Sequence, residues 1–310
     1  MKTISAAENT AKQRLIKTSG KNDRGELRGK IIISIAAFII ILATISITVF
    51  LAVKGLQAFV ADGVNPITFL TSTNWNPTDD GSSQLGAFPF IFGSLAVTLL
   101  SALIAAPIGI GGAIFMTEIA PSWGRKVLQP VIELLVGIPS VVYGFIGLSV
   151  LVPFIRDHFP GIGYSLIAGV IVLSVMILPT ITSISTDAMA SLPDHLRDGS
   201  YALGATRWQT IRKVLMPAVM PSLWTAIILG MARAFGEALA VQMVIGNVRD
   251  LPSSIFDTTA TLTSIITLNM GHTTYGSPEN NALWSMGLIL LLISFIFIMI
   301  VRFLSARRRV

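Results

Sequence analysis

Residues 31–53 carry no charged side chain, and neither do 88–117, 134–155, 159–186 or 280–301. A sixth stretch, 222–246, holds two, Arg233 and Glu237. A helix needs about 20 apolar residues to cross the hydrocarbon of a bilayer, so each run can span. No water is available there to complete backbone hydrogen bonds, which makes unbroken apolar runs helical. The pattern predicts an all-α integral membrane protein with six transmembrane helices, at about 31–53, 91–117, 134–155, 165–187, 222–246 and 281–303. Composition agrees: 12% of residues are charged and the mean hydropathy is +0.75, whereas a soluble domain is about a quarter charged. Pro107, Pro139, Pro153 and Pro179 fall inside spans, as do Gly109, Gly111 and Gly112. They read as kinks and close helix contacts.

The net charge of +6 is unevenly placed. Eight Lys/Arg lie in residues 1–30. Others are Arg125 and Lys126 after the second span, Arg197, Arg207, Arg212 and Lys213 after the fourth, and Arg302, Arg307, Arg308 and Arg309 after the sixth. The opposite side has Lys54, Arg156 and Arg249. Basic residues stay cytoplasmic, so both termini and the loop after the fourth span are expected there. The charge reports topology and gives no sign of a nucleic-acid partner. The C-terminal arginines can touch anionic lipid, and a plain topological anchor explains them as well.

The expected organisation is a disordered cytoplasmic tail at 1–30, a first helix at 31–53 acting as an uncleaved anchor, and a partly folded external loop at 54–87 containing Trp75, Asp79 and Asp80. A core of five spans at 88–305 follows, then a basic end at 306–310. A second external loop, about 247–281, has an apolar stretch near Thr258–Met270 that is too short to span. It is expected to form a surface or re-entrant helix.

The loop at 188–221 is a patterned polar island. From Asp198 it reads Asp-Gly-Ser-Tyr-Ala-Leu-Gly204, then a basic amphipathic run, then Val214-Leu-Met-Pro217. A helical turn leads to Gly204, which can take a positive φ. A second short helix, Thr206 to Leu215, is expected to end at Pro217. Two short helices crossing at a glycine make a knob that a soluble partner could grip. An ordinary interhelical loop with a glycine corner is the competing reading.

Arg233 lies near mid-bilayer, where a charge costs about 2.5–3.5 kcal/mol on insertion scales. Glu237 is four residues on, one turn away on the same face of a continuous helix. A self-neutralised pair contributes little net stability, so intramembrane charges default to function. The Arg fork suits the oxygens of a tetrahedral oxyanion and stays charged. Glu237 can hold the guanidinium, weaken its grip so that the anion leaves, or accept a hydrogen bond from a protonated phosphate oxygen. A buried pair that fixes helix packing competes. Glu133, at the start of the third span, is a weaker pathway candidate.

Two resemblances build on these residues. Asp198, Gly199, Ser200, Gly204, Val214, Met216 and Pro217 sit at the spacing of the loop named for its Glu-Ala-Ala opening in ABC-importer permeases, with Asp, Gly and Ser replacing that opening. The runs Arg233–Asn247, Glu133–Gly144 and Gly204–Trp208 resemble the PstC-type permease of the bacterial phosphate-specific ABC importer. The likeness covers roughly 85–305. It implies a type I ABC-importer permease fold in the inner membrane, with Arg233 and Glu237 serving phosphate passage. The 188–221 loop, including Arg207, would couple to the ATPase. Implied partners are a PstA-type permease, two copies of a cytoplasmic ATPase that binds ATP and Mg, and an extracytoplasmic phosphate-binding protein.

No phosphate loop of the Gly-x-x-x-x-Gly-Lys-[Ser/Thr] type occurs, so ATP hydrolysis is expected from a separate chain. His158, His195 and His272 lie in different loops, no zinc spacing appears and there is no cysteine. No metal site, cofactor or catalytic group is therefore expected. The leading expectation is one half of an ATP-driven phosphate importer working by alternating access. Sulfate or molybdate specificity, a gradient-driven anion transporter and an intramembrane enzyme are the alternatives.

Overall fold

In the computed structural model the described residues are 2–77 and 84–306, with side chains for 27–77, 84–300 and 302–303. Asp79, Asp80, Arg307, Arg308 and Arg309 lie outside them. The chain divides after Val53 into two units. One helix, α1 (Lys2–Gly55), runs through the first unit, so the tail expected to be disordered is helical. Residues 2–30 contain no proline and hold five Lys, three Arg and three Ala. Those residues favour helix, and nothing before the apolar run stops one.

The second unit opens with two short helices, α2 (Gln57–Val60) and α3 (Pro66–Thr71), and a two-stranded antiparallel ribbon, β1 (Trp75–Asn76) with β2 (Gln84–Leu85). Asn65 caps α3 through Ile67 N–H, and Pro66 takes the first turn, where no N–H is needed. Trp75 packs edge-on against Phe90, with ring centroids 5.4 Å apart.

Five long helical segments form the core. First is α4 (Phe88–Ile114), which runs into a π turn at Phe115–Ile119. Next come α5 (Ser122–Gly137), then α6 (Ser140–Ile146) continuing through a π turn into α7 (Val152–His158). The central helix is α8 (Leu166–Ala190). It is followed by α9 (Asp194–Ala202), α10 (Arg207–Thr210), a π turn at Ile211–Leu215, and α11 (Met216–Phe235). The chain ends with α12 (Leu239–Gln242), α13 (Leu262–Asn269) and α14 (Pro278–Ala306). Six segments are long and apolar enough to span: Leu27–Val60, Phe88–Ile119, Ser140–His158, Leu166–Ala190, Arg207–Phe235 and Pro278–Ile300.

Small residues set the packing. The buried face of α4 carries Gly93, which lies against Ala260, and then Val97, Ser101, Ala105, Gly109 and Ala113, one per turn along the contact with α8. Helices in lipid associate through such close contacts because no hydrophobic drive separates lipid from protein. Hydroxyls reinforce them: Ser101 Oγ donates to Val170 O at 3.0 Å, and Ser174 Oγ donates to Ser101 O at 3.3 Å. The fully buried Ile181 of α8 fills the space left by Gly109 and Gly230.

Four expectations are corrected. The fifth span ends at Phe235 rather than 246, because Glu237 Oε1 accepts Ala240 N–H at 3.1 Å and diverts it from the helical ladder. The third span begins at Ser140 rather than 134. Ile138 precedes Pro139 and is extended, as proline's ring requires of the residue before it. Glu133 therefore lies on the separate amphipathic helix α5. Pro217 does not end the second loop helix. Residues 207–235 run on as one span because Met216 N–H closes the π turn on Ile211 O, and the missing N–H of Pro217 falls where the ladder shifts register. Finally, of the surface and re-entrant alternatives for the stretch near Thr258–Met270, the surface one is overturned, since Leu262, Ser264 and Ile265 of α13 are buried and α13 packs against α4, α12 and α14.

A Cβ at Gly230 would lie 2.8 Å from Ile181 Cγ1, whereas one at Gly111 meets nothing within 4 Å. Gly230→Val should therefore overpack the core by about 1–3 kcal/mol and lower the thermal unfolding midpoint of the purified protein, while Gly111→Ala leaves it unchanged or raised.

Candidate functional site

The break after α11 forms the centre of the site. Gly236 ends the helix, and residues 236–238 cross to α12 without a helical ladder. Two side chains repair that gap. The Glu237 carboxylate takes Ala240 N–H, and Thr263 Oγ1 of α13 donates to Glu237 O at 2.7 Å. Because the helix stops between them, Arg233 and Glu237 do not pair, and Arg233 forms no ion pair with any described carboxylate. Instead Arg233 Nη1 donates to Thr180 Oγ1 of α8 at 2.9 Å. The guanidinium is half-buried. Beside the break, Ser94, Thr98, Glu237, Thr261 and Thr263 line a crevice with about 0 Å³ of room.

Thr180, Ser183 and Asp187 recur at helical spacing and share one face of α8. Ser183 and Asp187 line a cavity of about 150 Å³ with Arg125, Gln129, Glu133 and Thr186. Glu133 is exposed there and accepts a hydrogen bond from Gln129 Nε2 at 3.1 Å. The Arg233 contact and the Glu133 cavity thus lie about one turn apart along α8. Sequence reasoning missed Thr180, Ser183, Asp187 and Thr263. A polar residue at every turn of an otherwise apolar span was the available signal for the first three. Thr263 had none, because its partner is a backbone carbonyl distant in the chain.

The island is a knob, as its glycine suggested. α9 closes in a Schellman turn: Ala205 N–H bonds to Ser200 O at 3.2 Å, Gly204 N–H bonds to Tyr201 O at 2.9 Å, and Gly204 has φ +78°. Thr206 and Gln209 form a capping box that starts α10. Ser200 Oγ lies 2.9 Å from Thr210 Oγ1 and joins the two helices. Asp198, Gly199 and Arg207 face outward, Pro217 is exposed at the start of α11, and Val214 and Met216 are half-buried in the continuing helix. Tyr201, Leu203 and Trp208 crowd the tip, with Leu203 91% exposed. Among the described residues no cluster of His, Asp or Glu is arranged to hold a metal.

Six spanning helices, a broken helix carrying a half-buried arginine and a protruding loop knob define a membrane transport subunit. The chain belongs to the family of binding-protein-dependent transport system inner membrane components, which matches residues 107–310. It is 71% identical to a probable ABC transporter permease protein, YqgH, of Bacillus subtilis, over 96% of both chains. Phosphate transport system permease proteins PstC are also similar. That of Xylella fastidiosa is 32% identical over 94% of each chain, and that of Mesorhizobium japonicum 35% over 77% of this chain and 78% of its own. Among solved structures, a bacterial ABC transporter that imports the acidic polysaccharide alginate superposes with TM-score 0.62 at 14% identity, covering 96% of this chain and 100% of that one. The inward-facing MetNI methionine ABC transporter gives 0.54 at 22%, covering 69% and 94%. These last two show the fold. The protein is thus a non-enzymatic permease subunit of an ABC importer, working with a separate ATPase and a substrate-binding protein.

Thr263→Val removes the donor to Glu237 O and leaves a part-buried carbonyl without it, at about 1 kcal/mol. Thermal unfolding should show that loss, and Thr263→Ser should restore most of it.

Proposed function

We propose that this subunit forms half of the translocation pathway of an inorganic phosphate importer. It pairs with a PstA-type permease, and two copies of the ATPase grip the knobs. The termini and the knob face the cytoplasm. A phosphate-binding protein docks against loops 54–87 and 247–281. The observation that carries this reading is Arg233: a half-buried guanidinium in a span, held by a neutral hydroxyl and not by a carboxylate. An unneutralised arginine in an apolar environment favours an anion strongly. Its fork matches the oxygens of a tetrahedral oxyanion. The 32–35% likeness to phosphate permeases supports phosphate among such anions.

In this mechanism ATP binding draws the knobs together and rocks the helices to open the pathway outward. Phosphate leaving the binding protein meets Arg233, and Thr180 yields the guanidinium to it. Glu237 serves by keeping the helix broken, which exposes Arg233 at a helix end. Hydrolysis resets the inward-facing state, and the anion moves along Thr180 and Ser183 toward Asp187 and Glu133. Those two carboxylates outnumber Arg125 in the same cavity and weaken its hold on the anion, so it leaves instead of lingering.

The test is uptake of radiolabelled phosphate in cells lacking their own phosphate permease, supplied with this chain and its partner subunits. Arg233→Gln should lower uptake about a hundredfold at unchanged membrane level, the scale of losing a charge-assisted hydrogen-bond pair. Sulfate or molybdate uptake in place of phosphate would sink the phosphate assignment. Uptake without the ATPase would point to a gradient-driven carrier. Gly204→Val puts a β-branched residue at a positive φ, at about 1–2 kcal/mol. It should cut co-purification of the ATPase while the spans stay folded.

A further inference from the structure

A carboxylate and a guanidinium outside the pathway sit at the root of the knob. Glu118 belongs to the π turn that ends the α4 span, and Arg197 lies in α9, one residue before Asp198. Arg197 Nη2 is 2.8 Å and Nε 3.2 Å from Glu118 Oε1. The same guanidinium donates to Met189 O at 3.2 Å, Leu192 O at 3.2 Å and Asp194 Oδ1 at 3.3 Å. One side chain therefore ties together the end of the α4 span, the last turn of α8, the link at 191–193 and the first turn of α9.

The side chains are 19% and 6% exposed for Arg197 and Glu118. The hydrogen bond to Glu118 holds the Arg197 guanidinium above its ordinary range against the effect of burial. Such a pair is a poor device for stability alone, since apolar replacements are often neutral or better. What it supplies is fixed geometry, because a planar fork with five donors can satisfy a carboxylate and several carbonyls at once. The other contacts at this root are apolar, with Leu192 of the link and Met216 packed against Ala113, Met189, Val219 and Leu223, and they lack the directionality of that fork.

The geometry points to Arg197 and Glu118 as positioning residues that make the knob move as one body with the ends of α4 and α8. A displacement imposed on the knob then reaches three spans and is not absorbed in the link. This rests on the reading of the knob as the ATPase-coupling loop.

The native chain has no cysteine, so paired spin labels can be placed cleanly in the full complex with its ATPase and second permease. His195→Cys labels the knob at the start of α9 and Phe115→Cys labels the π turn, both at exposed positions. The distance between them is measured without nucleotide and with the complex trapped in its ATP-bound state. In the otherwise wild-type protein it should stay constant. In Glu118→Gln and Arg197→Lys it should shift or broaden on ATP binding, while substrate moved per ATP falls about tenfold, within the range of coupling changes seen for intermediate residues. Two variants guard against one failing to fold, and transport is normalised to assembled complex. A constant distance and wild-type transport per ATP in both, with only a lower unfolding midpoint, would reduce the pair to a structural contact. Leu203→Asp combined with Trp208→Asp supplies a separate arm. An ATPase that stays bound to that double variant overturns the coupling reading and this inference with it. The labels report motion whatever the substrate, so failure of the phosphate assignment leaves the outcome readable.

Discussion

Hydrocarbon offers no water to a broken backbone, so each interruption of a spanning helix has to be repaired by a protein group. The architecture follows from where those repairs are possible. At Gly236 the repair needs two side chains, the Glu237 carboxylate on an N–H and the Thr263 hydroxyl on a carbonyl. That requirement explains why α13, a short helix from a distant loop, is buried in the bundle. At Pro217 a π turn absorbs the missing donor and the span continues. At Pro139 nothing comparable is present, and the chain separates into α5 and a new helix.

This constraint also explains the state of Arg233. A carboxylate four residues on would neutralise it in a continuous helix. Spent on the backbone instead, Glu237 leaves the guanidinium to Thr180. The same break therefore creates both a non-helical corner and an arginine with no described carboxylate as counter-charge, and the proposed anion site rests on the two together. The small-residue seam between α4 and α8 supplies the rigid wall behind it, with Ile181 locked between glycines.

The knob follows a different logic because it lies outside the hydrocarbon, where local hydrogen bonding decides structure. Its turn is a Schellman motif at Gly204, its second helix starts with a capping box, and its tip exposes apolar side chains. All of these are short-range features. The attachment of the knob to the bundle is long-range and runs through Arg197, which reaches Glu118 across 79 residues.

The sequence alone determined the six spans, the glycine corner of the knob and the presence of an intramembrane arginine. Apolar run length, the positive φ open to glycine and the cost of a buried charge are local properties of the residues. Periodicity could not say that the fifth span stops at Phe235, because Gly236 is tolerated in many helices. Only the arrival of Thr263 and the recapture of Ala240 N–H by Glu237 make the break stable there. Tertiary structure likewise decided which group meets Arg233 and joined Glu118 to Arg197. Each of those outcomes depends on a partner far along the chain, brought near by packing that no local pattern encodes.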